Sequence, residues 1–434
     1  VEYERKGGHK KVGALIELLP EEQQADAIKA VKHLLGKYDS TMSANFRTFN
    51  SWAILLNIST LLAFATFASL PDFAGPILRS KEFKALGEVI PLLLEMAGNP
   101  AEARALAKEI GVVASEAMEL MWIHSPDMDW MTTGAKRGSN FFFKWTGLEA
   151  FTKFTRYFAA GMGKRFLLRH ADIVAQAEKR LGMEDLVRPD LSPEIKEQLT
   201  MEEERSVRYL QELNRTTSRE ILAWEKEGFD FEALDVDDAR RVRLALARFV
   251  DESIIRPSAA ERPIWASDPR FFLIWQLKSF FYAYGKNIVG GVARESISRF
   301  KESGGNPGPA VMPLMLMAAT ILPLTMLGWD MRERTKYAIR YAIPWMEADW
   351  AKIGKSHGMA WGPWAIEVTD RSGVLGPWTM LRQMYNKAQW DELWITPLLG
   401  PSAEKSEDIL RAMFTNENYN WHNLIPVRSQ LGGN

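Results

Sequence analysis

Asp237-Asp238-Ala239-Arg240-Arg241-Val242-Arg243-Leu244-Ala245-Leu246-Ala247-Arg248-Phe249-Val250-Asp251 is the stretch on which the fold class turns. Val242, Leu246, Phe249 and Val250 line one face at helical spacing, while Arg241, Arg248 and Asp251 look outward. That period predicts an amphipathic helix from about Asp237. Upstream, Ser192-Pro193-Glu194 gives an N-cap followed by proline in the first turn, and predicts a long charged helix to about Lys226. Pro20-Glu21-Glu22 opens another, with Ala27, Ile28, Val31 and Leu34 at helical spacing and Gly36 as its stop. Residues 101–123 follow the same pattern. Alternating, strand-like runs are nearly absent. The predicted fold class is all-α: an extended multi-helix assembly module with long helices and a loop-rich C-terminal part.

The composition fits a globular core, with 47% hydrophobic and 25% charged residues in 434, and so excludes wholesale disorder. A formal net charge of −1 provides no global field for nucleic acid or an anionic bilayer, so any such binding must come from a local patch. The chain has no cysteine, which removes disulfides, thiolate metal sites and cysteine nucleophiles. It opens on Val1 and a polar, charged run to Lys11 unlike a signal peptide, and is expected to be a fragment or processed product of something longer. Sixteen tryptophans and nineteen methionines suit interfaces and bilayer boundaries, although cores use them too.

Two stretches carry no charge. Thr48–Pro71 includes Leu55, Leu56, Leu61, Leu62, Phe64 and Phe67. Ser303–Trp329 includes Leu314, Leu316, Ile321, Leu322 and Trp329, and ends at Asp330-Met331-Arg332-Glu333-Arg334. Spanning a bilayer takes about 20 apolar residues. Against a span, Asn50, Asn57, Ser59 and Thr60 dilute the first stretch, while Pro313 and Pro323 interrupt the second. The alternative is a buried hairpin of a helical core. Ser303-Gly304-Gly305-Asn306-Pro307-Gly308-Pro309 is expected to be a hinge or domain linker, with a weaker boundary near Thr132–Ser139. These breaks divide the chain into regions 1–134, 135–302 and 303–434.

A search for chemistry finds little. The six histidines, His9, His33, His124, His170, His357 and His422, have no partner at the spacing a helical zinc site needs. Gly354-Lys355-Ser356-His357-Gly358 matches the nucleophile-elbow pattern, but no strand precedes it and a loop explains it. Gly161-Met162-Gly163-Lys164 lacks the rest of a phosphate-binding loop. Carboxylates such as Glu202-Glu203-Glu204 fit a solvated helical face. The sequons at Asn57 and Asn214 fall in an apolar run and, as predicted, mid-helix. No catalytic residue, metal or cofactor is expected.

The segment from Phe141 to Arg169 interleaves rings with cations. Phe151, Phe154 and Phe158 share a helical face, and Lys144, Lys153, Arg156, Lys164, Arg165 and Arg169 supply positive charge. Such a helix suits a membrane surface, or stacking on single-stranded nucleic acid; the plainer alternative is an aromatic core face with a basic solvent face.

Later phrases carry a resemblance. Phe249-Val250-Asp251-Glu252, Pro257-Ser258, Glu261-Arg262-Pro263 and Trp265-Ala266-Ser267-Asp268-Pro269 lead into Gln276-Leu277-Lys278-Ser279-Phe280. Asp370-Arg371-Ser372-Gly373-Val374-Leu375-Gly376-Pro377 and Leu398-Leu399-Gly400-Pro401 follow, and Trp145-Thr146-Gly147-Leu148 fits less specifically. Together, over roughly residues 140–410, these resemble the C-terminal region of the large internal virion (ejection) proteins of short-tailed bacteriophages and related polyvalent proteins. The resemblance implies a protein stored in the virion that leaves with the genome and helps form a conduit across the host envelope. Its implied partners are other virion proteins of the portal, tail and ejection apparatus, and further copies of itself. Contact with the host inner membrane, after passage to the periplasm, and non-specific contact with passing DNA complete the expectation. Absent disulfides, and helices held by local contacts that refold fast, suit such a passage. Trp345, Trp350, Trp361, Trp364, Trp378, Trp390 and Trp394 suit interfacial anchoring or subunit packing alike. Alternatives are a docking region of a virion-packaged RNA polymerase, a peptidoglycan-degrading virion protein, and a cellular integral membrane protein.

Overall fold

The computed structural model describes residues 43–61, 65–109, 132–254 and 284–342, with a few isolated positions elsewhere. The described chain is all-α, 82% helical, with no strand. Helix α1 (Ala44–Leu61) and the short α2 (Ala65–Ala68) lead through a 3-10 turn (Leu70–Phe73) into α3 (Ala74–Arg79). Next come α4 (Lys84–Gly98), α5 (Pro100–Glu109) and α6 (Thr133–Trp145). Of the predicted helix at 101–123, α5 covers the start and residues 110–131 lie outside the described part; so does most of the one after Pro20.

The 34-residue α7 (Leu148–Leu181) is the axis of the fold. Gly147 separates it from α6 with φ of +73°, a left-handed turn that a side chain would strain. Around α7 pack α3, α4 and α5 and then α9 (Met201–Glu212), α10 (Ser218–Lys226) and α11 (Val236–Ser253). Phe166 sits at the centre, its ring 5.2 Å from Phe249 and 5.7 Å from Tyr209. Val242, Leu246, Phe249 and Val250 are all fully buried, as the helical period of α11 requires.

The long charged helix expected from Ser192 to Lys226 is three helices. Ser192 caps the short α8 (Pro193–Gln198), and Thr200 and Thr217 each start a new helix with a full capping box, paired with Glu203 and Glu220. The break between α9 and α10 holds Asn214 and Arg215 at positive φ, so the second sequon lies in a turn and not mid-helix.

A π-helical turn (Tyr284–Val289) leads into α12 (Gly290–Glu302), which forms an antiparallel pair with α13 (Pro307–Ala342). The glycine-rich segment between them is therefore a tight helix–helix turn, where a hinge or linker was expected. Gly305, at φ of +92°, donates its N–H to Phe300 O and ends α12. α13 also packs on α2, the 3-10 turn and α3. It runs unbroken through Pro313, which is buried, and Pro323, which is exposed, contrary to the expected interruption.

Candidate contact surface and buried ion cluster

α13 divides its apolar residues between two sides. Leu316, Met317, Ile321 and Gly328 are buried against the body, whereas Val311, Met312, Leu314, Met315 and Leu327 are 39–53% exposed. The buried side approaches very closely at Gly328, where an added Cβ would meet Phe67 O at 2.3 Å. Thr320 and Thr325 return their hydroxyl protons to Leu316 O and Ile321 O at 2.8 Å. Both hydroxyls lie on the buried side; on the outer side Pro323 has no N–H to give the Ala319 carbonyl. Residues 307–336 form the one described helix long and apolar enough to cross a membrane, and 33% of its most apolar window is buried.

Of the residues singled out from this stretch, Leu314 is exposed, Leu322 and Trp329 are half-buried, and Leu316 and Ile321 lie inside. The last two are core residues and not contact residues, because the helical period turns them toward the body. The Trp329 ring lies under Arg332 at 5.4 Å.

The described residues of the first uncharged stretch fall in α1, α2 and the 3-10 turn. Leu55 lies against Gly138 of α6, and Phe67 against Gly328 of α13. Leu62 and Phe64, and the side chains of Leu56 and Leu61, lie outside the described part. An aromatic surface lies nearby: Phe141 and Trp145 of α6, rings of the segment singled out from the sequence, and Phe49 and Trp52 of α1, which sequence reasoning passed over, are each more than half exposed. Their i, i+3 and i, i+4 spacings were the available signal.

The aromatic stripe on α7 faces inward. Phe151, Phe154 and Phe158 close around Phe73, with ring centroids 5.1, 5.6 and 5.5 Å away. Phe158 is fully buried and touches no outside surface, Phe151 is half-buried and Phe154 is exposed. Most of the cations beside them are engaged within the fold. Lys153 pairs with Glu149 at 2.7 Å, Arg165 with Glu95 at 2.6 Å, and Arg169 with Glu82 and Glu88. Lys164 sits 3.3 Å over the Phe229 ring, and Arg156 is buried. Only Lys144 stands on an exposed site. The six therefore do not form an open basic face, because α4 supplies carboxylates along the same side of α7.

Between α3, α9 and α12 lies a cluster of charge that the sequence did not disclose. Glu295, 2% exposed, accepts from Tyr209 Oη at 2.7 Å, from Arg208 Nη1 at 3.1 Å and from Arg299 Nε at 2.9 Å. Lys81 Nζ reaches Glu212 at 2.8 Å and Glu295 at 3.3 Å. Lys81 is held at φ of +59°, a conformation costing about 1–2 kcal/mol for a residue with a Cβ. Its carbonyl accepts from Arg299 Nη2 at 2.6 Å, which fixes that turn. Burial alone would raise the Glu295 carboxyl, but Lys81, Arg208 and the Tyr209 hydroxyl together hold it far below the usual carboxylate range. Burial, then Glu295, push the Tyr209 hydroxyl well up.

Beneath the cluster, His170 is fully buried, its Nδ1 3.0 Å from Ser206 Oγ. Ser206 donates its own proton to Glu202 O at 2.8 Å, so Nδ1 carries the imidazole hydrogen. Burial, then Arg169, Lys81, Arg205 and Lys84, keep the ring neutral, well below its usual range. Among the described residues no group of three His, Asp or Glu is placed to hold a metal ion. His9, His33, His124, His357 and His422, the Gly354–Gly358 segment and the C-terminal tryptophans lie outside the described residues.

No family model, curated protein or solved structure matches the chain. The described geometry offers an exposed apolar helix side, exposed aromatic residues and an ion cluster within the body.

Proposed function

We propose that this chain is a non-catalytic, membrane- and partner-contacting module of a bacteriophage ejection protein, stored in the virion and acting in a conduit for genome delivery. The observation that carries the reading is α13. Residues 307–329 carry no charge over roughly 34 Å of helix, which matches a bilayer core of about 30 Å, and an apolar side stays uncovered. The charged run Asp330–Arg334 follows at once, as expected where a helix returns to head groups or water. The biological setting rests on the resemblance of the phrases between Phe249 and Pro401 to ejection proteins. Partners would be further copies of the chain, other portal, tail and ejection proteins and the host inner membrane; passing DNA would be touched without sequence preference.

Flotation of the purified chain with liposomes tests the membrane part. Recovery with the vesicles is expected, and no association at any pH or lipid composition would remove that part. Imaging the chain in particles before and after genome release tests the rest: it should leave the capsid interior and lodge in the envelope. A chain that stays beside a packaged polymerase would favour the docking alternative.

A further inference from the structure

Helices α1 and α6 lie alongside each other, Trp52 against Gly134 and Leu55 against Gly138, where an added Cβ would meet the Leu55 side chain at 2.8 Å. Across their 18 and 13 residues they carry Arg47, Lys136, Arg137 and Lys144 and no carboxylate. In a chain whose formal net charge is −1, that is a local excess of positive charge. α6 turns Ala135, Ser139, Phe142 and Phe143 inward and leaves Arg137, Phe141, Lys144 and Trp145 exposed. These four fall at i, i+4, i+7 and i+8, so two rings and two cations share one side of the helix. Neither Arg137 nor Lys144 has an ion pair among the described residues, in contrast with Lys153, Arg165 and Arg169 of α7.

Cations without carboxylates beside them favour an anionic partner, and the placing of the rings selects its kind. Phe141 is 72% exposed and Trp145 63%, so both rings stand on a ridge with no wall beside them. A single nucleic-acid strand is held in the opposite way, in a basic groove that tracks its backbone while rings stack on its bases. A ridge suits a plane. Laid on a leaflet, Phe141 and Trp145 would enter the acyl boundary, and the stems of Arg137 and Lys144 would lift their charges to the phosphates. We infer that this side of α6 is a headgroup-level contact for anionic phospholipid, shallower than the contact proposed for α13. Trp52, exposed beside Gly134, extends the same side. That contact rests on the membrane reading above for its partner, but on a different helix for its residues.

The full chain should bind vesicles of mixed phosphatidylglycerol and phosphatidylcholine about tenfold or more tightly than vesicles of phosphatidylcholine alone, and high salt should erase the difference. R137Q/K144Q alters only exposed positions, so it should keep the folding transition and lose most of that preference. R219Q/R240Q, an equal loss of charge from exposed positions on α10 and α11, should retain it. L314S/M315S on α13 should weaken binding to both kinds of vesicle alike and leave the ratio unchanged. Equal binding of the unaltered chain to the two vesicles would overturn the assignment and leave the α13 reading intact. So would a preference kept by R137Q/K144Q, or one lost equally in R219Q/R240Q. Binding to anionic vesicles alone, unchanged by L314S/M315S, would keep the α6 contact and sink the α13 reading. No binding to either vesicle would end both. Binding of oligo(dT) that R137Q/K144Q abolishes, with no vesicle preference, would make the partner a single strand and overturn the lipid assignment.

Discussion

The helices Leu148–Leu181 and Pro307–Ala342 are nearly equal in length, 34 and 36 residues, yet they meet their surroundings in opposite ways. The first carries rings and cations that looked available from the sequence, and the fold engages nearly all of them, around Phe73 and along α4. The second carries no charge through Trp329, and the fold covers only part of it. The difference teaches that a residue's chemistry indicates function only after its internal partners are counted. Phenylalanine on α7 is architecture; leucine and methionine on the outer side of α13 are surface.

Truncating the architecture should have the largest effect. Phe158→Ala removes a fully buried ring from the Phe73 cluster and should lower stability by about 3–5 kcal/mol in urea denaturation. A loss below about 1 kcal/mol would break the contrast. Gly328→Ala tests the seam between body and α13. Its Cβ would collide with Phe67 O, so about 1–3 kcal/mol should be lost and vesicle flotation should rise as α13 loosens. Unchanged stability would show that the close approach is not required.

Acid should act on the body in two stages. His170 is neutral when folded, so below the usual pH of 6.5 the unfolded chain binds the extra proton and stability falls. Glu295 and Glu212 are both held below the usual 4.5; for Glu212, burial opposes the shift and Lys81 and Arg79 drive it. Their contribution is present above pH 4.5 and is lost as pH falls further. The Asp72 carboxyl, pushed up to about 7 by burial, takes up its proton in the folded chain and opposes the first stage, so that stage is read as the difference in urea midpoint against pH between the chain and His170→Gln. Thr217→Ala, which removes a buried capping box, should cost about 1 kcal/mol by the same assay. The smallest effect belongs to the surface: Leu314→Ser with Met315→Ser should change stability by no more than about 0.5 kcal/mol while weakening flotation. A stability loss as large as that of Phe158→Ala would mean this side is core after all.

The all-α class was legible because apolar periodicity is local, and α11 and the start of α8 lie where their signals put them. The breaks at Thr200 and Thr217 were legible too, as Thr-x-x-Glu, but an unbroken run of charge around them masked the caps. Pro313 and Pro323 misled in the other direction, since the helix continues past both. The site was harder to read. Phe73 lies some 80 residues before the rings it gathers, and Glu295 lies 86 residues from Tyr209. No spacing rule spans such distances, so neither the aromatic cluster nor the ion cluster could be found from the sequence.

The bond from Arg299 to the Lys81 carbonyl crosses 218 positions of chain, whereas the α12–α13 pair is joined by a four-residue turn. On the passage through a tail proposed above, separations of that kind would set a timetable. The hairpin can re-form as soon as its own residues are out, since short loops close at little entropic cost. The salt-bridged knot around Glu295 must wait until both distant segments are free together. If the proposed passage leads with the C-terminus, closure of that knot would come last and leave the uncharged hairpin a period alone; if it leads with the N-terminus, Arg299 is out before the hairpin is complete and the order reverses.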